Sequence, residues 1–303
     1  MSNTSQTPSP NSQSVSISSR FNLDSWDMHD ADVLFLTPDQ VFFYAHRSIL
    51  LSYSTNYFGG LLAEDSACDN EEVDVTQPMS DVDSFLSIEP KLVVVDIYSE
   101  VFNVVLLALY QFSIQEFMPS SQTLREVIYA LASLGIDPSM IAHTRSELYG
   151  LLLKSAAADP LPMYASAAQC SFEPLAVSVS ALTLRTPLHE ITEELAQQMG
   201  PVYLKRIFFL HLGREAALRR IVLPQPSLHP PESNLKCDTQ SQKSIQRAWT
   251  LASAYVIAQN DLGGVNEVIS LLNTQIGCSD CNRSLQERIS RLVHDWSAIK
   301  CTI

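Results

Sequence analysis

Glycine is scarce in this sequence, with nine among 303 residues. The chain contains no G-x-S-x-G, G-x-x-x-x-G-K-[ST] or G-x-G-x-x-G motif, and each of these motifs needs glycine where the backbone turns sharply or approaches a phosphate. The stretch "HEITE" at 189–193 begins like the zinc-protease motif H-E-x-x-H but has Glu193 where the second histidine belongs. We therefore predict that the chain is not an enzyme.

Basic residues are also few. Nineteen lysines and arginines against 33 acidic residues give a net charge of -14, with a sequence pI near 4.8. A field of that sign repels a phosphate backbone, and no dense basic stripe offsets it. Nucleic acid is therefore not an expected partner.

Long apolar runs and dense cysteine are absent as well. No run reaches the ~18 residues of a membrane helix, and the serine-rich first 20 residues have no apolar segment of the signal-peptide kind. Six cysteines are too sparse for a disulfide scaffold. We expect no membrane anchor, reduced thiols, a location in the cytoplasm or nucleus, and a disordered tail over 1–20.

With 46% hydrophobic residues, the chain can nevertheless bury a sizeable core. Two short β-rich runs, 33–36 and 41–44, flank "TPDQ" and predict a hairpin. A helical pattern follows from Ala45, and Gly59-Gly60 predicts that a second helix around Tyr57 to Leu62 is short.

The next stretch mixes a loop, a strand and helices. Residues 63–90 are acidic and aperiodic, which predicts a solvated loop. "KLVVVDIYS" predicts a further strand, and Ser99 is expected to cap the helix after it. Apolar stripes then predict helices up to about residue 158.

The region 159–303 has helical stripes without a strand signal, and it contains a proline-rich linker near 224–242. The expected fold class is thus α+β, with a small sheet and a helical cluster followed by an all-helical C-terminal region.

The best sequence candidates for a metal site are Cys278 and Cys281, with His294 and Cys301 downstream. A structural zinc ion takes four ligands, so one C-x-x-C pair is not sufficient. His294 lies about 200° around the helix from Leu292, a core position, and should face away from the core. Zinc, a redox pair and ordinary reduced cysteines all stay open, and the last is favoured, so no cofactor is predicted.

His46 and Arg47 follow the hairpin, and they are interpreted as structural rather than catalytic because no activated nucleophile accompanies them. His46 is expected to close hydrogen bonds at the strand-to-helix junction. Arg47 is expected to pair with an acid of the hairpin, Asp30 or Asp32.

The stretch "DADVLFLTPDQVFFYAHRSILLSYSTNYFGGLL" resembles the opening of a BTB/POZ domain, and "LVVVDI" with "SEVFNVVLLALYQF" is similar to that fold's third strand and following helix. The resemblance covers about 21–158, including the acidic insertion 63–90. The region from "DPLPMYASAAQCSFEPLA" to "YLKRIFFLHLGREAALRRIV", residues 159–222, resembles the helical extension of fungal BTB proteins. "FNLDSW" is similar to the exchanged N-terminal strand of such dimers.

The resemblance implies a protein–protein interaction module or scaffold that pairs with itself or with another BTB protein. It implies an interaction pocket at Asp32, His46 and Arg47. It further suggests a substrate adaptor for a cullin-type ubiquitin ligase, with Leu62 and Glu64 as the cullin contact. The alternatives are a nuclear transcriptional co-regulator that binds protein partners, and an enzyme or zinc-binding protein acting through the C-terminal half.

Overall fold

The computed structural model describes residues 15–63, 90–230, 237, 239–259 and 278–303. The fold is α+β, as predicted, with a small mixed sheet and predominantly helical structure elsewhere. The chain divides into two compact units, Met1–Val179 and Ser180–Ile303. Within the described residues, no helix has both the length and the apolar content needed to cross a membrane.

The first unit contains four strands and most of the helices. The strands are β1 (Ser16–Ile17), β2 (Val33–Leu36), β3 (Val41–Ala45) and β4 (Lys91–Val94). The helices are α1 (Arg47–Tyr53), α2 (Ser99–Leu109), α3 (Ser121–Ser133), α4 (Pro138–Ile141), α5 (Glu147–Ala156), α6 (Pro160–Gln169) and α7 (Glu173–Thr183), the last of which crosses the boundary.

The strand order in the sheet is β1-β3-β2-β4. The predicted hairpin is confirmed: β2 pairs antiparallel with β3, and both β1–β3 and β2–β4 pair parallel. Its turn is closed by Thr37, whose hydroxyl donates to the carbonyl of Val41 and accepts from the Val41 amide. Strand β1 lies within the stretch 1–20 that was expected to be a disordered tail; residues 1–14 of that stretch lie outside the described part.

The inner face of the sheet forms the core with α2. Alternation along the strands buries Val33, Phe35, Phe43 and Val93. The ring of Phe102 on α2 has its centroid 5.1 Å from that of Phe35, with the planes near perpendicular. Edge-to-face contacts of this kind add to the hydrophobic burial that holds the sheet on the helix.

The start of α2 differs from the sequence expectation in one detail. Ser99 does not cap the helix with its own side chain; it is the first helical residue. The carboxylate of Asp39, in the hairpin turn, accepts from the Ser99 amide at 3.1 Å and from its hydroxyl. The hairpin therefore supplies the acceptor that the first turn of the helix needs.

The prediction of a second short helix around Tyr57 to Leu62 is wrong. Four consecutive residues, Tyr57 to Gly60, have positive φ, between 56° and 80°, which an α-helix cannot accommodate. The Ser54 hydroxyl accepts from the Phe58 amide at 2.7 Å and fixes this turn. Phe58 is fully buried, so the apolar pattern marked core residues of a turn rather than a helical stripe.

The boundary between the two units follows Val179, about twenty residues later in the chain than the domain boundary expected between 158 and 159. Helix α6 packs on α3 and α5 of the first unit. The hydroxyl of Tyr129 on α3 donates to that of Ser166 on α6 at 2.9 Å. The proline pair at 160 and 162 lies within the first turns of α6 and does not separate domains.

The second unit is helical in its described residues, with α8 (Glu193–Val222), α9 (Thr239–Gln259) and α10 (Ser279–Ser297). Helix α8 breaks at Gly200, where φ is 67° and ψ is 170°, next to Pro201. The helices share one apolar cluster, made of Leu218, Ile221, Val222, Trp249, Val256, Leu285, Ile289 and Leu292.

Two polar side chains tie α9 and α10 to the end of α8. The indole N–H of Trp249 donates to the carbonyl of Val222 at 3.1 Å. The guanidinium of Arg288 donates to the carbonyls of Ile221 and Pro224. These carbonyls at the end of α8 would otherwise lack partners inside the helix, so buried side chains replace water there.

Candidate functional site

The strand-to-helix junction at His46 is a closed hydrogen-bond network. Its Nδ1 lies 2.9 Å from the hydroxyl of Tyr110, and its Nε2 lies 3.0 Å from a carboxylate oxygen of Asp30. The His46 amide donates to the same tyrosine hydroxyl at 2.7 Å. A tyrosine oxygen that accepts from this amide can donate its own proton to Nδ1, which leaves Nε2 to donate to Asp30.

The electrostatics of the junction match that arrangement. The hydrogen bond from His46 holds the pKa of Asp30 below its ordinary value. Burial raises the pKa of Tyr110 to about 12, so the hydroxyl stays protonated at neutral pH. His46 thus has a hydrogen-bond partner on each of its two ring nitrogens.

Asp32 and Arg47 meet through the backbone rather than as an ion pair. A carboxylate oxygen of Asp32 accepts from the Arg47 amide at 2.7 Å. His46, the N-cap residue of α1, makes no side-chain cap hydrogen bond. Asp32 therefore supplies the missing acceptor at the start of α1. In the described part of the chain, the guanidinium of Arg47 makes no ion pair with Asp32.

Leu62, one of the two residues expected to contact a cullin, does not lie on the surface. That side chain is 0% exposed, so a partner cannot reach it without unfolding the turn that carries it. Glu64 lies outside the described residues, as does nearly all of the acidic insertion 63–90.

The outer face of the sheet is apolar across all four strands. Strand register aligns Ile17 with Phe42, Phe42 with Leu36, and Leu36 with Val94. A second row aligns Tyr44, Leu34 and Leu92. Ile17, Leu92 and Val94 are 57%, 55% and 66% exposed. A half-buried sheet ordinarily places polar side chains on its open face, and these two rows do not follow that rule.

In the second unit, the structure brings together a set of ligating side chains that only partly matches the sequence candidates. Four atoms, one each from His229, Cys237, Cys278 and Cys281, lie within 4.8 Å of one another. We name these four residues the Cys3His cluster. His294 and Cys301 are both exposed and do not belong to it.

The described cysteines are free, and three of them line the Cys3His cluster. The Sγ atoms of Cys237 and Cys281 are 3.4 Å apart, and Nε2 of His229 is 3.2 Å from Sγ of Cys278. Cys237 and Cys281 are buried, and they pack with Ile245.

The cluster contains one acidic thiol and one that resists ionisation. Cys278 is the N-cap residue of α10, and the hydrogen bond from the Cys281 amide, aided by His229, lowers the pKa of its thiol to about 7. Burial, followed by the neighbouring sulfurs, raises the pKa of Cys281 to about 12. The hydrogen bond with Cys278 raises the pKa of His229.

Sequence reasoning missed His229 and Cys237 because both lie in the proline-rich linker, far along the chain from Cys278. His229 and Cys278 are 49 positions apart. One signal was available: the linker 224–242 contains a single histidine and a single cysteine. His294 and Cys301 were preferred as the further ligands because they lie closer in sequence to Cys278 and Cys281.

Comparison with known proteins gives no relative. No family model, no curated protein and no solved structure matches the chain. The BTB/POZ resemblance therefore stays a prediction.

Proposed function

We propose that the chain is a protein–protein interaction protein that forms a homodimer through the outer face of the sheet in its first unit. One observation supports this proposal above the others: an uninterrupted apolar row, Ile17–Phe42–Leu36–Val94, crosses the four strands and is more than half exposed at both ends. Exposed apolar surface of this kind marks interaction sites in soluble domains. The resemblance to BTB/POZ domains points to the same class of function.

Charge favours a second copy of the chain as the occupant. Each copy carries a net charge of -14, so two copies repel each other over most of their surfaces. The two outer rows contain no charged residue. Two copies can thus approach most closely at this face.

The topology also suits a two-fold interface. β4 is an edge strand of the sheet in the described residues, and it carries the two outer-face residues Leu92 and Val94. A two-fold axis between the two sheets lays the outer face of one copy against the same face of the other, which is the self-complementary arrangement of an isologous dimer. Leu92 and Val94 of both copies are then buried in the interface.

A charge placed on this face tests the proposal. We expect Val94→Glu to weaken the dimer about 100-fold or more, because each dimer loses two buried valines at about 1.4 kcal/mol or more each and gains two opposed carboxylates. Val202→Glu is the matched control, since Val202 lies on α8 of the second unit with a similar exposure, 62% against 66%. Sedimentation velocity over a concentration series measures both dissociation constants, and circular dichroism checks that both variants are folded.

Equal dissociation constants for the two variants would contradict the proposal. So would a wild-type chain that stays monomeric over the same concentration series.

The roles of substrate adaptor and transcriptional co-regulator stay predictions, separate from the proposed homodimer. The buried Leu62 gives the adaptor role no surface contact. Co-precipitation with a cullin, using the dimeric wild-type chain, decides between an adaptor and a general scaffold.

A further inference from the structure

We propose that the Cys3His cluster of His229, Cys237, Cys278 and Cys281 binds one structural zinc ion. This site differs from the one suggested by chain order, which paired Cys278 and Cys281 with His294 and Cys301. It is independent of the homodimer proposed above.

The separations within the cluster fit a tetrahedral ion. With Zn–S near 2.3 Å and Zn–N near 2.0–2.1 Å, a tetrahedron places two sulfurs about 3.8 Å apart and a sulfur about 3.6 Å from a nitrogen. Two of the observed separations are 3.4 Å between Sγ of Cys237 and Sγ of Cys281 and 3.2 Å between Nε2 of His229 and Sγ of Cys278. All four ligand atoms lie within 4.8 Å of one another. Shifts of a fraction of an ångström up to about one ångström bring all four onto one centre.

The ligand set indicates the type of metal and its role. Thiolates with one imidazole select a soft or borderline ion of tetrahedral preference, for which zinc is the usual choice. Four protein ligands leave no open position for water or substrate. The ion would therefore hold structure together and would not take part in a reaction.

The groups around the cluster orient the ligands. Nδ1 of His229 lies 2.7 Å from the carbonyl of Pro230, which fixes the proton on Nδ1 and leaves the Nε2 lone pair directed at the cluster. The side-chain amide of Gln242 donates to the carbonyl of His229 at 2.8 Å and approaches Sγ of Cys237 at 3.7 Å. Partners on the second ring nitrogen and N–H groups near the sulfurs are regular features of metal sites in proteins.

The alternatives explain the cluster less well. A disulfide needs sulfurs about 2.05 Å apart, and Cys237 and Cys281 are 3.4 Å apart. Ordinary buried cysteines pack as small apolar side chains and need no imidazole among them. Here, three sulfurs and one oriented nitrogen converge from two separate segments of the chain, the linker and the start of α10.

The site would connect parts of the second unit that otherwise share little core. His229 and Cys237 belong to the proline-rich linker, whereas Cys278 and Cys281 lie in the first turn of α10. Beside the cluster, the buried apolar residues are few, with Ile245 of α9 and the half-buried Leu228. A zinc ion would fasten the linker and the start of α9 to the start of α10.

Metal analysis of the full-length chain, purified without chelator under reducing conditions and then loaded with zinc, tests the site. We expect about one zinc ion per chain, with loss of most of it in Cys281→Ser and His229→Ala. Cys301→Ser and His294→Ala are the matched controls, and we expect both to keep the ion. Zinc loss in these controls equal to that in the cluster variants would overturn the assignment.

A second measurement does not depend on the folding of any variant. Thiol alkylation of the wild-type chain, mapped by mass spectrometry before and after chelation, should show Cys237, Cys278 and Cys281 becoming reactive together. Cys301, which is exposed, should react at the same rate in both states. A wild-type chain that takes up no zinc, or that contains a Cys237–Cys281 disulfide in place of the ion, would overturn the proposal.

Discussion

The interior of the first unit is stabilised in a different way from the interior of the second. The first unit contains an aromatic core, in which the ring of Phe102 contacts those of Phe35, Phe43 and Phe58. The second unit contains a narrow apolar cluster along α8, α9 and α10. It leaves many large apolar side chains on those helices exposed, among them Val202, Phe209, Leu212, Leu251 and Tyr255.

This difference accounts for where polar chemistry is found in each unit. In the first unit, packing already fixes the elements, and the polar groups at His46, Asp30 and Tyr110 only need to satisfy one another. In the second unit, a linker and two helix ends meet with little apolar surface to bury, which is the situation in which small folds rely on a metal ion. A unit with a large apolar core needs no metal ion for its stability, whereas a unit with a narrow core gains stability from one.

The largest effect on stability is expected from the aromatic core. Phe102→Ala should destabilise the first unit by about 3–5 kcal/mol, because it removes a fully buried ring and leaves a cavity. Trp26→Ala is the matched control; Trp26 is an aromatic residue of the same unit and is 84% exposed, so the change should stay within about 0.5 kcal/mol. Unfolding in urea, monitored by hydrogen exchange of the β3 amides, measures the free energy of unfolding of both variants. A decrease of less than about 1 kcal/mol in Phe102→Ala would contradict the role given to this core.

A smaller effect is expected at the junction between the hairpin and α1. Asp32→Ala should cost about 1 kcal/mol, within the range of 0.5–2 kcal/mol for a lost helix cap, because the Arg47 amide loses its acceptor. Asp32→Asn keeps an oxygen acceptor and should recover most of that loss. Asp24→Ala, at an exposed acid in the same unit, is the control. Equal losses in the alanine and asparagine variants would show that Asp32 acts through its charge and not as a cap.

The smallest expected effect is a pH dependence in the first unit. Arg20 donates to Asp27 at 3.0 Å, and this hydrogen bond holds the pKa of Asp27 below its ordinary value of 3.8. A carboxyl whose pKa is lowered by folding stabilises the protein above its unfolded pKa, and that stability is lost as the pH falls through the lower, folded value. The pair is partly exposed to solvent, so it should contribute no more than about 1 kcal/mol.

Comparison of wild type with Asp27→Asn measures this contribution. Between pH 7 and pH 5 the difference in unfolding free energy should be constant, and below about pH 4 it should shrink. A difference that grows on acidification would mean that the sign assigned to Asp27 is wrong.

Local patterns in the sequence predicted most of the fold. The two β-rich runs at 33–36 and 41–44 predicted the hairpin, and the helical stripes of 159–303 predicted helices such as α9, which buries Trp249, Ala252 and Val256. The turn at Tyr57 to Gly60 escaped prediction because its apolar spacing imitates a helix and its positive φ values cannot be read from non-glycine residues.

The candidate sites were less predictable, because they depend on contacts between distant segments. The Cys3His cluster forms only when the linker meets the start of α10, and Cys237 and Cys281 are 44 positions apart. The role of Asp32 as a cap for α1 likewise depends on the position of a strand relative to a helix. The residue types were visible in the sequence, whereas their partners were set by tertiary structure.

The mass of the full-length wild-type chain in solution tests the central claim most directly. Sedimentation equilibrium at tens of micromolar should give a species of twice the chain mass of 33.6 kDa. A single species of 33.6 kDa over that concentration range would contradict the homodimer and the function proposed for the sheet face.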